Sequence, residues 1–140
     1  MSKINFEECL YFSSARINRV IAKVSDQRFS TMGLSSTEAF ILMYLDTGDE
    51  LNPSSIADEL SLDRSTVTRF LDKLENRNYI QRTHKGRQVL VTLTDDGMKL
   101  QKQLKKIWSD LNQAYIDMLG EDAEERLRTL LNDDFKKIQE

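Results

Sequence analysis

Hydrophobic positions recur every three or four residues along most of this chain. Phe6, Leu10, Ser13, Ile17, Ile21 and Val24 form one such row, and it predicts a first helix from about residue 6 to residue 25 or 29. Tyr11, Phe12 and Val20 widen the apolar surface beyond one stripe. A helix apolar on more than one face has more than one neighbour, and a second subunit is the natural candidate. Leu100, Leu104, Ile107, Trp108, Leu111, Tyr115 and Met118 predict a long helix over about residues 95–119, ended by Gly120. Leu127, Leu130, Leu131, Phe135 and Ile138 predict a last one over about 122–138. These terminal helices have no sheet to cover, so they are expected to pack with the first helix of the same chain and of a second one.

The middle of the chain is read from its capping signals. Leu34-Ser35 with Glu38 makes a capping box. Leu51-Asn52-Pro53 with Ile56, Leu62-Asp63 with Val67, and Leu93-Thr94 with Met98 each combine a capping side chain with an apolar staple. Each cap occupies orphan backbone N–H groups and contributes ~1 kcal/mol. The predicted helices are residues 36–46, with Phe40, Leu42, Met43 and Leu45 inward, then 53–60 and 64–77. Asn78 suits a left-handed cap, after which Tyr79 folds back onto Leu74. The period then changes to two. Ile80 begins one strand, and Val89, Val91 and Leu93 alternate with Gln88, Leu90 and Thr92 in the other, as in a half-buried hairpin. His84-Lys85-Gly86-Arg87 form its tip. Two short helices joined by a tight turn and followed by a basic hairpin describe a helix-turn-helix with a wing.

Residues 64–77 can be tested by placing them 100° apart. Val67, Phe70, Leu71 and Leu74 fall on one side, toward the core. Ser65, Thr68, Arg69, Asp72 and Asn76 fall opposite, flanked by Arg64, Thr66 and Lys73. The N-terminal half of a recognition helix meets the bases. Short hydroxyls permit close approach, and an arginine can grip guanine O6 and N7 with two bonds. Asp72 would repel phosphate, but it sits in the third turn, where the helix is leaving the groove.

Charge sharpens this picture. The chain carries −3 overall, which looks wrong for a DNA binder. Yet Arg64, Arg69, Lys73, Arg77, Arg82, Lys85 and Arg87 stand against only Asp72 and Glu75 between residues 64 and 90, a net of +5, so the remainder carries −8. Positive charge concentrated on one unit is the electrostatic signature of phosphate contact. With 140 residues, one proline and five glycines, the chain is long enough to bury a core without disulfides. Its single cysteine excludes an internal disulfide, and the lack of a long apolar run or signal-like N-terminus points to the cytoplasm, with no membrane partner.

Other chemistry is sparse. His84 is the only histidine, so no metal site is expected. Asp95-Asp96 lie in the first turn of a helix, where they favour the helix dipole. Lys99, Lys102, Lys105 and Lys106 are expected to be solvated, and Trp108 to serve core or interface. No nucleophile–base pairing or glycine-rich phosphate loop appears, so neither an enzyme nor a cofactor is expected. Cys9 is expected to pack in the core, because Glu7 and Glu8 disfavour its thiolate.

From Leu34 to Leu100 the chain resembles the MarR family of winged-helix bacterial regulators. The motifs that carry the resemblance are LSSTEAFILMYL, PSSIADELSLDRSTVTRFLDKLENRNYIQR and RQVLVTLTDDGMKL. It implies a mainly α homodimer, with a winged helix-turn-helix over residues 34–94 and a helical dimerisation region over 1–33 and 95–140. It also implies a pseudo-palindromic double-stranded DNA operator and transcriptional repression, relieved by a small phenolic or aromatic ligand between the lobes. Carried over by position, Ser65, Thr66, Thr68 and Arg69 match the family's groove-facing helix, and Arg87 matches the arginine of the wing. Arg64, Lys73 and Lys85 complete the expected DNA-binding set, and Tyr11 and Arg16 are the candidate effector residues. Two positions depart from the pattern. Lys85-Gly86-Arg87 replaces the usual Asp-x-Arg on a wing that is a few residues short, and Asn78 replaces a glycine. One branch of the family senses peroxide through a cysteine near the start of the first helix, supported by tyrosines. Cys9 and Tyr11 resemble that arrangement, which makes a thiol-based redox regulator the alternative. A winged-helix module that binds protein and not DNA is the other.

Overall fold

The structure, a computed structural model, describes residues 3–46 and 50–139. Its order is α1 (Leu10–Phe29), α2 (Ser36–Tyr44), α3 (Pro53–Leu60), α4 (Arg64–Asn76), β1 (Ile80–Lys85), β2 (Gln88–Leu93), α5 (Asp95–Leu119) and α6 (Glu121–Ile138), with 3-10 turns at Phe6–Glu8 and Ser30–Met32. The chain forms two compact units, one of residues 22–107 and one of residues 3–21 with 108–139.

The first unit owns nearly all the core. Phe29, Ile41, Leu42, Leu45, Ile56, Val67, Leu71, Leu74, Ile80, Val91 and Leu104 are fully buried. The capping signals place its helices. Ser35 Oγ accepts from the Glu38 N–H while Glu38 Oε1 accepts from the Ser35 N–H. Asp26 adds a second carboxylate, accepting from the Ser36 N–H and hydroxyl at 3.1 and 2.6 Å. Asn52 Oδ1 accepts from the Ser55 N–H at 2.8 Å, and Pro53 fills the first turn. Thr94 Oγ1 accepts from the Gly97 N–H and donates to the Asn78 carbonyl. The fourth expected cap differs: Asp63 has N-cap backbone geometry, but its side chain makes no capping hydrogen bond. Three residues, Ser61 to Asp63, separate α3 from α4. Ser61 enters the left-handed region (φ 55°), and the Leu62 N–H closes onto the Ala57 carbonyl at 2.9 Å.

Two expectations about burial are corrected. Phe40 is partly exposed and meets Phe29 edge-on at 6.1 Å. Ala39 and Ile41 face inward in its place, because α2 has neighbours on several sides. Strand β2 does not alternate cleanly either. Leu90 and Val91 are both buried, since residue 51 pairs with Val91 as a rudimentary third strand, through main-chain bonds of 2.7 and 3.3 Å.

Helix α5 locks onto the winged unit through two close contacts. The Gln101 side chain is buried, and its amide donates to the Leu42 and Leu45 carbonyls at the end of α2. Gly97 leaves no room for a side chain: a Cβ there would lie 2.1 Å from the Tyr79 carbonyl oxygen.

The second unit is different in kind. Leu111 is its only buried apolar residue among the described ones, whereas Phe6, Leu10, Tyr11, Val20, Met118, Leu130, Leu131 and Ile138 are all more than half exposed. Tyr115 donates to the Ile21 carbonyl at 2.7 Å. A groove of about 650 Å³ between α1 and α6 is lined by Leu10, Ile17, Ile21, Leu127 and Leu131, with Ser13, Ser14 and Asn18 at its edge.

Gly97→Ala should destabilise the winged unit by about 3 kcal/mol, because backbone must shift to admit one methyl group. Urea denaturation checks this; a loss below about 0.5 kcal/mol would show that α5 does not sit this close to Tyr79.

Candidate nucleic-acid interface

Helix α4 is positioned by its apolar side. Val67, Leu71 and Leu74 have no exposed surface, which fixes the rotation of the helix about its axis. Phe70, expected among them, is only half-buried. Its ring lies beneath two cations, Arg69 at 5.9 Å and Lys73 at 5.4 Å. The opposite side is open: Arg64, Ser65, Thr68, Arg69 and Lys73 are exposed, and Thr66 is half-buried. The helix ends as the sequence suggests. Asn78 adopts φ 64°, and the Tyr79 N–H bonds to the Leu74 carbonyl at 3.0 Å, a Schellman closure. Arg77 turns away from the open face and donates to the Gly33 carbonyl at 2.6 Å, its guanidinium 5.2 Å from the Tyr79 ring.

The wing is a two-stranded antiparallel ribbon in register from Ile80 opposite Leu93 to Lys85 opposite Gln88. Gly86 (φ 61°) and Arg87 make the two-residue turn. Such hairpins favour a glycine at the first turn position. His84, Lys85 and Arg87 are all exposed at the tip.

One group ties the wing to α4. Arg82 Nη2 donates to Asp72 Oδ1 at 2.7 Å and to Glu75 Oε1 at 2.8 Å; Nε donates to Glu75 Oε1 at 3.1 Å, and the Arg82 N–H to Glu75 Oε2 at 3.0 Å. The side-chain hydrogen bond from Arg82, with its main-chain bond and charge, holds the Glu75 carboxyl below its usual range. The same bond raises the Arg82 guanidinium. Arg82 therefore acts as a strut and not as a phosphate contact. Asp72, which sequence reasoning placed beyond the groove as a repulsive charge, is one of its two partners. Lys85 is likewise paired, its Nζ 3.0 Å from Glu50 Oε2. Arg64, Arg69, Lys73 and Arg87 keep their charge without a carboxylate partner among the described residues.

The remaining candidates lie in the second unit. Cys9 is exposed, at the end of a 3-10 turn, which corrects the expectation that it packs in the core. Tyr11 is 80% exposed. Arg16 pairs with Glu7 at 2.9 Å and lies 4.7 Å from the Phe12 ring centroid. Neither Tyr11 nor Arg16 lines the groove between α1 and α6. Among the described residues no cluster of three or more metal-ligating side chains occurs, and no helix is long and apolar enough to cross a membrane.

A helix-turn-helix presenting a hydroxyl- and guanidinium-bearing face, followed by a short ribbon braced against it, defines a winged helix-turn-helix protein. The MarR family model matches residues 34–87, the segment that holds α2, α3, α4 and the wing tip, so this segment is similar to that family. It is 29% identical over 119 residues to the transcriptional regulator SarZ of Staphylococcus epidermidis, covering 83% of this chain and 76% of SarZ. The crystal structure of the Staphylococcus aureus MepR–DNA complex superposes with a TM-score of 0.80 at 22% identity, over 92% of this chain and 98% of that one. The transcriptional repressor CouR bound to p-coumaroyl-CoA superposes with a TM-score of 0.82 at 23% identity, over 94% and 96%.

The Arg82 strut has a defined pH signature. Glu75 is depressed in the folded state, so its contribution is present above the ordinary carboxylate value of 4.5. It is lost as the pH falls through the lower folded value. A double-mutant cycle of Arg82→Met and Glu75→Gln should give a coupling of about 1 kcal/mol at pH 7, modest because both groups contact solvent. The coupling should shrink toward zero in acid below that value. A coupling that stays constant throughout acid titration of the folded protein would rule out the ion pair as its source.

Proposed function

We propose that this protein is a homodimeric, DNA-binding transcriptional regulator that represses its target until a small aromatic or phenolic effector releases it. The observation that carries DNA binding is the open face of α4, with Ser65, Thr68 and Arg69 outward and their helix clamped to the core by Val67, Leu71 and Leu74. In this reading α4 enters the major groove and Arg69 bonds guanine. Arg64, Thr66 and Lys73 meet the flanking backbone, and Arg87 on the wing meets the backbone or the adjacent minor groove. Lys85 joins them when its pairing with Glu50 yields to phosphate.

The exposed apolar surface of the second unit supports the dimer. A unit with one buried apolar residue among those described, beside a row of exposed leucines and aromatics, is incomplete alone. Two copies related by a two-fold axis present their α4 helices to half-sites ~34–36 Å apart. Repression and the effector rest on likeness to CouR, a repressor seen with p-coumaroyl-CoA. Tyr11 and Arg16 are the residues assigned to the effector. A second reading, release of DNA when peroxide oxidises the Cys9 thiol, is favoured by the exposure of Cys9.

Arg64, Lys73 and Arg87 of each subunit, with Lys85 once it leaves Glu50, give a dimer ~8 phosphate contacts. The logarithm of affinity should then fall with the logarithm of salt concentration at a slope near −7. Arg69→Ala should relax sequence preference, whereas Lys73→Ala and Arg87→Ala should weaken binding to all sequences and each reduce the slope by ~2 per dimer. Mobility-shift titrations across a salt series, with light scattering for the mass, measure both. A monomer, or affinity indifferent to salt, would contradict the proposal.

A further inference from the structure

Thr68 differs from Ser65 on the open face of α4. Its Oγ1 donates to the main-chain carbonyl of Arg64, one turn back, at 3.0 Å. A threonine hydroxyl carries a single proton, and threonines within helices often give it to the i−4 carbonyl. What remains outward is a methyl group and an oxygen able only to accept. Thr68 is exposed, and the burial of Val67 and Leu71 prevents α4 from rolling this side away.

We propose that Thr68 is a specificity-determining residue that reads an A·T pair through the thymine methyl group. The inference rests on α4 being the recognition helix. Along its major-groove edge an A·T pair presents the adenine N6 amino donor, the thymine O4 acceptor and the thymine methyl group. The methyl group of Thr68 packs on the thymine methyl, and its oxygen is free to accept from an amino donor. A G·C pair also offers an amino donor, on cytosine N4, beside the guanine N7 and O6 acceptors, so the Thr68 oxygen alone does not separate the two pairs; the thymine methyl group, which G·C lacks, does. Arg69, exposed on the next position of the helix, carries only donors and takes the guanine. Adjacent side chains thus divide the two kinds of base pair between them.

The test is selection of bound sequences from a random duplex library by the full chain and by Thr68→Val and Thr68→Ser. Both substitutions sit on an exposed helix face, and matching thermal melts confirm folding. The wild type and Thr68→Val, which keeps a methyl at that place and has no hydroxyl, should select the same A·T pair. Thr68→Ser, which keeps the hydroxyl and loses the methyl, should reduce the A·T over G·C preference at that position by about fivefold or more. Retained preference in Thr68→Ser, lost preference in Thr68→Val, or guanine at the affected position overturns the assignment while DNA recognition stands. If the wild type enriches no sequence at all, the reading of α4 as a recognition helix fails and this assignment with it.

Discussion

Burial of one side of α4 is the constraint on which the interface depends. Val67, Leu71 and Leu74 have no contact with solvent, and turning the helix by even a quarter of a circle would bring them out. Fully burying three such side chains favours this orientation by roughly 1.5–3 kcal/mol each. The open residues are thereby aimed without any interaction of their own. Ser65, Thr68 and Arg69 face outward because their neighbours cannot. A binding face held in this way is available to a partner at little cost in ordering.

The charges divide into two groups with different work. Arg82, with Asp72 and Glu75, braces the wing against α4, and Lys85 pairs with Glu50. Arg64, Arg69, Lys73 and Arg87 are left to act on an anionic partner. Net charge by stretch of sequence misses this distinction, because it counts a strut and a phosphate contact alike. The brace suits a two-stranded wing, which has no further strand to support it: Arg82, in the middle of β1, ties the ribbon to α4 three residues before the strand ends at Lys85.

Much of this was legible in the sequence, and for local reasons. The bounds of α3 and α5, the capping box at Ser35 and Glu38, and the left-handed Asn78 all follow from side chains acting within one turn of their own backbone. So does the outward face of α4, which needs only helical periodicity. What escaped the sequence involved partners distant along the chain. Arg82 reaching back to Asp72 and Glu75, Lys85 meeting Glu50, Gln101 capping the end of α2 and residue 51 pairing with Val91 all depend on tertiary placement. Phe40 was misjudged because α2 is apolar on several sides, so its pattern does not say which side is the outer one. Cys9 was misjudged because a free cysteine is usually buried, and the 3-10 turn before it carries no strong sequence signal. For the interface itself, the residues were readable and their division of labour was not.

Methylation interference tests the central claim most directly, because N7 of guanine lies in the major groove, where α4 is proposed to sit. On a duplex selected by the protein, N7 methylation should block binding at two clusters of guanines about 10 base pairs apart on one face of the helix. Arg69→Ala should remove that interference. Binding indifferent to N7 methylation, or interference that Arg69→Ala leaves intact, would contradict the account.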